Sequence, residues 1–338
     1  MQSCLSPLGK KVDGKTSKSY FYQPFTRNII YSPDGNWFEV AYEKLDADKE
    51  SFKALSNSVG KDNQVVFYKY FKQPQVDLQT FTVVNNVMKD KNSVYKVDDN
   101  HKLVPVLGAD PNSFSYLDPN STNTLVWAKD KSSYFMNDLK VKVDYATFRI
   151  VNENLFYDKD SIYIELDQGI LGRDATTERL DSINKFYAKG ANSIYYYGYK
   201  NFNIGYEKVS ISEIRTTEII DEATLKVNDN TILFEGSIFP VATVDAKSFM
   251  LLNINTSYYK DKNNIYYRDK VLEGADVNSF QLIGENSNDK HPSYAKDKNH
   301  VYWMGKIVKD ANVNKFHYDK KKHQWTDGTY SFHGNDSQ

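Results

Sequence analysis

Carboxylates are the residues of this 338-residue chain whose spacing could support chemistry. Asp158 and Asp160 stand two residues apart, as oxygen ligands do in calcium-binding loops. Such loops also need a glycine at the sharp turn and a bidentate acid further on. Here a lysine stands beside or between the acids in nearly every related turn. We therefore expect no metal site at these turns.

A second pattern places Ser or Thr three residues after Asp, with Phe following at once. An acid and a hydroxyl could belong to a nucleophilic site, but that chemistry needs one activated hydroxyl beside one oriented His. The pattern instead recurs along the chain without a repeated His. We therefore predict no catalytic residue and no bound cofactor. The copies begin at Asp48, Asp77, Asp110, Asp144, Asp245 and Asp276, with weaker versions at Asp174 and Asn312.

The histidines and glycines offer little more. His317 and His323 flank Asp319, but this spacing is unspecific, and we expect the three to be polar side chains of a hairpin. The glycines are scattered, and no Gly-rich phosphate loop is present. We predict that no residue of the chain is a metal ligand.

Adjacent aromatic residues are the one candidate for binding that recurs in several copies, as in Tyr302–Trp303. Neighbouring side chains on a strand point to opposite faces, so one ring of each pair enters the unit. The second ring either packs on the next unit or lines a groove that stacks on sugars or peptides. The candidates for a binding surface are Tyr196, Tyr267 and Trp303.

The element that carries these rings is a repeated turn motif. Residues 257–270 read SYYKDKNNIYYRDK, and residues 293–306 read SYAKDKNHVYWMGK. Asp can accept hydrogen bonds from backbone N–H groups two or three residues on, and flanking aromatic and β-branched residues favour strands. Each copy therefore predicts a β-hairpin, although Gly190 replaces the Asp in one of them. Copies begin at Lys61, Lys89, Lys129, Tyr157, Lys189, Lys260 and Lys296, with a shorter one at Val227 and a degenerate one at Ser32.

The two motifs alternate at regular spacing. The Asp-x-x-Ser/Thr-Phe segment predicts a single capped turn, here called the step, whose Phe is anchored in the core. Each unit of about 30 residues is too small to bury a core alone, so neighbours must stack. We predict an all-β protein of about nine tandem β-hairpin repeats, stacked in an elongated or curved array. A β-propeller is the alternative architecture.

The repeats also predict the domain organisation. Residues 1–17 are expected to form a flexible N-terminal segment and residues 18–338 a single repeat-array domain. The repeats are clearest over residues 88–148 and 257–316 and diverge over residues 196–228.

These motifs resemble the DKNYY family of bacterial repeat proteins. The resemblance rests on KDKNNIYY, on KDKNHVYW and on the GAD-x-N-S-F steps at Gly108 and Gly274. The family has no established activity, so the resemblance implies an architecture and no active site. Its members are often predicted to be exported or lipid-anchored, which implies a location in the bacterial cell envelope.

The amino-acid composition limits the classes of partner that this chain can bind. The chain has 43 Lys and Arg against 44 Asp and Glu, so no overall positive field attracts nucleic acid. Its single cysteine, Cys4, excludes an intramolecular disulfide and a Cys-based zinc site. No apolar run is long enough to span a membrane. The polar stretch after Cys4 resembles the region that follows a lipoprotein cleavage site, so Cys4 is a candidate for lipid attachment, with an incidental cysteine as the alternative.

Taken together, the sequence predicts a non-enzymatic binding or scaffold protein of the bacterial cell envelope, whose unknown partner is a protein or a glycan. One alternative is carbohydrate or cell-wall binding through aromatic grooves. Another is an immunity-type protein that inhibits a toxin partner.

Overall fold

The chain folds into short β-strands joined by tight turns. The computed structural model describes residues 8–33, 42–119, 125–166, 169–175, 178–200, 203–284, 294–334 and 336–337. Within these ranges every regular element is a strand, and the strand pairs are antiparallel. Accordingly, the described part of the chain offers no helix that could cross a membrane. The prediction of an all-β repeat protein is confirmed.

The chain divides into two compact units, and the first contains residues 1–148 and 166–171. Its strands pair in sequence order within successive small sheets. The bounds are β1 (Tyr20–Tyr22), β2 (Ile29–Tyr31) and β3 (Glu43–Lys44); β4 (Lys53–Ala54), β5 (Val59–Lys61), β6 (Val66–Tyr68) and β7 (Phe71–Gln73); β8 (Thr82–Val84), β9 (Val87–Lys89), β10 (Val94–Val97) and β11 (Leu103–Pro105); β12 (Ser115–Tyr116), β13 (Trp127–Lys129), β14 (Tyr134–Met136) and β15 (Leu139–Lys140).

The second unit contains residues 149–165 and 172–338 and follows the same plan. The bounds of the remaining strands are β16 (Arg149–Ile150), β17 (Leu155–Tyr157), β18 (Ile162–Leu166) and β19 (Gly169–Gly172); β20 (Asp181–Ser182), β21 (Tyr187–Lys189), β22 (Ser193–Lys200) and β23 (Asn203–Ser210); β24 (Thr217–Ile219), β25 (Thr224–Val227), β26 (Thr231–Phe234) and β27 (Ser237–Ile238); β28 (Met250–Leu251), β29 (Tyr258–Lys260), β30 (Ile265–Tyr267) and β31 (Lys270–Val271); β32 (Gln281–Ile283), β33 (Tyr294–Lys296), β34 (Val301–Trp303) and β35 (Lys306–Ile307); β36 (His317–Asp319), β37 (Gln324–Thr326), β38 (Ser331–His333) and β39 (Asp336–Ser337). The single repeat-array domain over residues 18–338 stays a prediction.

A typical repeat is a four-stranded meander, which is larger than the predicted hairpin. In the repeat built around Asp261, β29 and β30 form the hairpin, while β28 and β31 add a strand on each side. The outer strands are only two residues long. Strands this short leave almost no period-two pattern in a sequence, which is why only the hairpins were predicted.

The core lies between successive sheets. Tyr259 and Tyr266 pack with Phe249 and with Ile232 of the preceding sheet. Tyr258, on the opposite face of the same sheet, belongs to a cluster that includes Tyr302 of the following sheet. Both faces of the sheet are therefore covered by its neighbours, and the apolar surface that drives folding is buried between repeats rather than inside one.

Candidate functional site

The hairpin aspartates accept hydrogen bonds both from their own turn and from the preceding step. The Asp261 Oδ1 atom accepts from the backbone N–H groups of Asn263 and Asn264, each at 2.7 Å. Its Oδ2 atom accepts from the backbone N–H of Asp245 and from the Tyr266 hydroxyl, again at 2.7 Å. The carboxylate thus closes its own turn and also fastens the preceding step to the hairpin.

A carboxylate has about four lone-pair positions, and all four are occupied here. The same set of four donors surrounds Asp90 and Asp297. Burial raises the pKa of Asp297, but hydrogen bonds from the backbone N–H of Asp276 and from the turn outweigh it and lower the pKa overall. A group that is charged, buried and fully bonded cannot act as a base or bind a cation without losing the contacts that hold the repeat.

The lysine that follows the hairpin aspartate contacts the preceding step, which explains why a lysine stands at this position. The Ser279 hydroxyl donates to Asp276 at 2.6 Å and accepts the backbone N–H of Lys298 at 3.0 Å. The Lys298 ammonium lies 2.7 Å from the Asp276 carboxylate. Its hydrogen bond, followed by that from Ser279, lowers the pKa of Asp276 to about 2. The hydroxyl is therefore a bridge between step and hairpin. The same arrangement occurs around Asp77, Asp110 and Asp245.

The Phe of the step enters the core to a different extent in different repeats. Phe81, Phe148 and Phe249 are buried. Phe280 is only half-buried, and its ring lies 5.6 Å from the rings of Tyr258 and Tyr302. The predicted anchoring role therefore describes Phe249 better than Phe280.

The repeat with Gly190 in place of the hairpin aspartate receives a carboxylate from another residue. Glu178 accepts the backbone N–H of Ala191 at 2.6 Å and the Tyr195 hydroxyl at 2.7 Å. A Cβ atom on Gly190 would lie 2.4 Å from that carboxyl group. Sequence reasoning missed Glu178. The available signal was that the Tyr five residues after the turn position is kept although its Asp partner is absent.

Sequence reasoning also missed a hairpin near the C-terminus. Asp327 accepts the backbone N–H groups of Thr329 and Tyr330 with one oxygen and that of Asn312 with the other. Asn312, the weak step of the sequence analysis, is thus joined to a hairpin in the usual way. The degenerate copy that begins at Ser32 falls mostly outside the described residues.

The three candidate binding-surface rings lie against turns of the following repeat. Tyr196 is 1% exposed, whereas Tyr267 and Trp303 are half-buried. In each case the facing turn contains a glycine with positive φ, where a side chain would be strained. A Cβ atom would come within 2.6 Å of the Tyr196 and Tyr267 rings and 3.4 Å of the Trp303 ring. The facing glycines are Gly236, Gly305 and Gly334, in that order.

The remaining candidates do not assemble into a site. Among the described residues, no group of three or more His, Cys, Asp or Glu side chains is placed to hold a metal ion. The His317 Nδ1 atom lies 2.8 Å from the backbone oxygen of Lys315. Cys4, the candidate for lipid attachment, lies outside the described residues.

Two surface grooves stand out from the repeats. One, of about 420 Å³, lies in the first unit between the turn at Ser132 and the segment from Lys140 to Tyr145. The other, of about 150 Å³, lies in the second unit beside Lys200 and Glu235. Three charged residues line the second groove: Lys200, which is paired with Glu207, Glu235, which is paired with Arg268, and Asp269. The first groove is larger, and the charged residues that line it are two lysines, Lys140 and Lys142.

The fold and its bonding pattern define an all-β tandem-repeat protein in which a buried carboxylate joins a step to a hairpin. The chain belongs to the DKNYY family, whose model matches residues 26–167 and 225–336, more than half of the sequence. The unmatched stretch between these regions contains the repeat with Gly190 and Glu178. No curated protein matches the chain.

Proposed function

We propose that this chain is a non-enzymatic binding or scaffold protein of a bacterial cell envelope. The observation that supports the proposal is that the repeated carboxylates already accept hydrogen bonds at all of their lone-pair positions. Asp90, Asp261 and Asp297 each accept four hydrogen bonds inside the fold. Catalysis needs one positioned set of available groups, whereas a repeated surface can sum modest contacts over several units.

The envelope location rests on the lipidation hypothesis for Cys4 and on the tendency of the family. Attachment of a lipid to Cys4 would place the repeats at a membrane surface without a membrane-spanning segment. The partner in this proposal is a protein or a glycan.

Binding by a surface spread over several repeats predicts a graded response to shortening. Affinity for a partner captured from an envelope fraction should be measured for the full chain and for chains ending at residues 311, 275 and 244. These ends fall between a complete meander and the next step. We expect affinity to fall in steps, and Asp297→Asn to lower the unfolding midpoint without abolishing binding by the folded protein. Complete loss of binding after one polar substitution in a folded chain would contradict the proposal.

A further inference from the structure

Two repeats depart from the others at the residue four positions after the hairpin aspartate or Gly190. This position is usually a fully buried β-branched residue, but in the last repeat it is Ser331. In the repeat of Asp130 it is Tyr134, whose ring is only half-buried. The buried residues at this position are Val66, Val94, Ile162, Ile194, Ile265 and Val301.

The exceptional ring is held in place by other aromatic residues. The centroid of the Tyr134 ring lies 5.2 Å from that of Tyr145 and 4.8 Å from that of Phe148. The Tyr145 hydroxyl donates to the backbone oxygen of Asp130 at 2.8 Å, which fixes the second ring. Both tyrosines line the groove of about 420 Å³, whose size falls within the usual range for small-ligand sites.

The charged residues of this groove are lysines. Lys140 and Lys142 line it, and its lining includes no Asp or Glu. Among the described residues neither ammonium forms an ion pair, although Lys131 of the same repeat is paired with Asp110 at 3.0 Å. A Cβ atom added to Gly108 would lie 3.4 Å from the Lys140 Cδ atom. The aliphatic part of Lys140 therefore packs against the backbone of a glycine. The groove therefore combines fixed rings with two cations that the fold itself does not use.

We propose that this groove binds an acidic saccharide, with the lysines recognising its carboxylates and the Tyr134 ring packing on the apolar face of a sugar ring. Ammonium–carboxylate contacts are charge-assisted and supply orientation. A tyrosine ring offers apolar area with a polar edge, which suits a sugar. A simple inorganic anion would use the lysines but would leave the rings without a role. The inference rests on the binding function proposed above and names one ligand class for it.

The test uses tetragalacturonic acid as the probe, its methyl ester as the neutral counterpart, and inorganic phosphate as a simple anion. Titration calorimetry of the full chain at low salt should show saturable binding of the acid. We expect the ester to bind roughly tenfold more weakly, because it cannot form the charge-assisted contacts. Equal binding of the ester would overturn the role of the lysines. Binding of phosphate as tight as that of the acid would show an anion site without saccharide recognition.

Matched variants separate recognition from stability. Tyr134→Ile introduces a residue type that other repeats bury at this position, so the unfolding midpoint should be kept while affinity falls roughly tenfold. The pair Lys140→Ala and Lys142→Ala should weaken binding at least as much. The pair Lys306→Ala and Lys309→Ala removes the same charge outside the groove and should leave affinity unchanged. Equal loss in both lysine pairs, or no saturable binding by the natural chain, would overturn the proposal. Either result would leave untouched the separate prediction that partner affinity falls in steps as the chain is shortened. The two proposals can therefore fail independently.

Discussion

The repeats built around Asp261 and around Gly190 solve the same problem with different residues. In the first, the hairpin residue itself supplies the carboxylate, which is bonded to Tyr266 at 2.7 Å. In the second, the hairpin residue has no side chain, and Glu178 reaches the equivalent tyrosine, Tyr195, also at 2.7 Å. The sequences of the two turns differ, while the tyrosine and a carboxylate oxygen that accepts its hydroxyl hydrogen bond are kept.

The comparison shows that a carboxylate acceptor is kept near the hairpin turn although a different residue supplies it. A buried tyrosine hydroxyl and an unpaired turn amide are costly unless an acceptor reaches them. The acceptor can come from the turn or from the segment before it. The repeat around Gly190 lies in the stretch that the family model does not match, although it forms the same kind of sheet.

The largest expected effect comes from removing the carboxylate where it accepts four hydrogen bonds. Asp261→Ala leaves the Tyr266 hydroxyl, which is fully buried, and several backbone N–H groups without an acceptor. Each buried group left unpaired costs about 1–3 kcal/mol, so we expect a loss of several kcal/mol in the free energy of unfolding, measured by chemical denaturation. Asp229→Ala, at an exposed turn position, is the matched control and should change little.

A double-mutant cycle sharpens this prediction. In a Tyr266→Phe background the hydroxyl is absent, so Asp261→Ala should cost less than in the natural chain. The repeat of Asp62 already has Phe67 at this position, which shows that the ring alone fits the site. An identical cost of Asp261→Ala in both backgrounds would mean that the hydroxyl contributes nothing to the network.

An intermediate effect is expected where two hydrogen bonds are lost. Glu178→Ala removes the acceptor of the Tyr195 hydroxyl and of the Ala191 N–H, which should cost about 1–3 kcal/mol. Gly190→Asp alone should also destabilise, because its Cβ would meet the Glu178 carboxyl group at 2.4 Å. The two changes together should recover stability, since the new aspartate restores the arrangement seen at Asp261. A double variant no more stable than Glu178→Ala would show that the two carboxylates are not interchangeable.

The sequence predicts the repeats well because Asp, Lys and Tyr recur at fixed spacing and each has one local role. The hairpin at Asp261 and the step at Asp276 follow directly from turn chemistry. The bridge from a step to the hairpin after it did not follow, since the hydrogen bond from the backbone N–H of Asp276 to Asp297 joins residues that are 21 positions apart. Glu178 was missed for a related reason: its partner is defined by the packing of a step on a hairpin, which no local pattern encodes.

The smallest effect concerns the exposed ion pairs of the steps, such as those of Asp245 with Lys262 and of Asp276 with Lys298. The ammonium groups of Lys262 and Lys298, together with the step hydroxyls, lower the pKa of these two aspartates to about 2. A carboxyl group whose pKa is lower in the folded state stabilises the fold above its unfolded value of 3.8 and loses that contribution as the pH falls towards about 2.

As the pH is lowered from about 4 to about 2, the unfolding midpoint should therefore decrease. In Lys298→Ala this decrease should be smaller. The change per lysine should be small, because solvent and salt screen an exposed pair. Carboxyl-detected NMR titration gives the direct measurement: the pKa of Asp276 should rise towards its ordinary value in Lys298→Ala, while that of Asp245 stays low. An Asp276 pKa that is ordinary in the natural chain, or unmoved by Lys298→Ala, would rule out the ion pair as its cause.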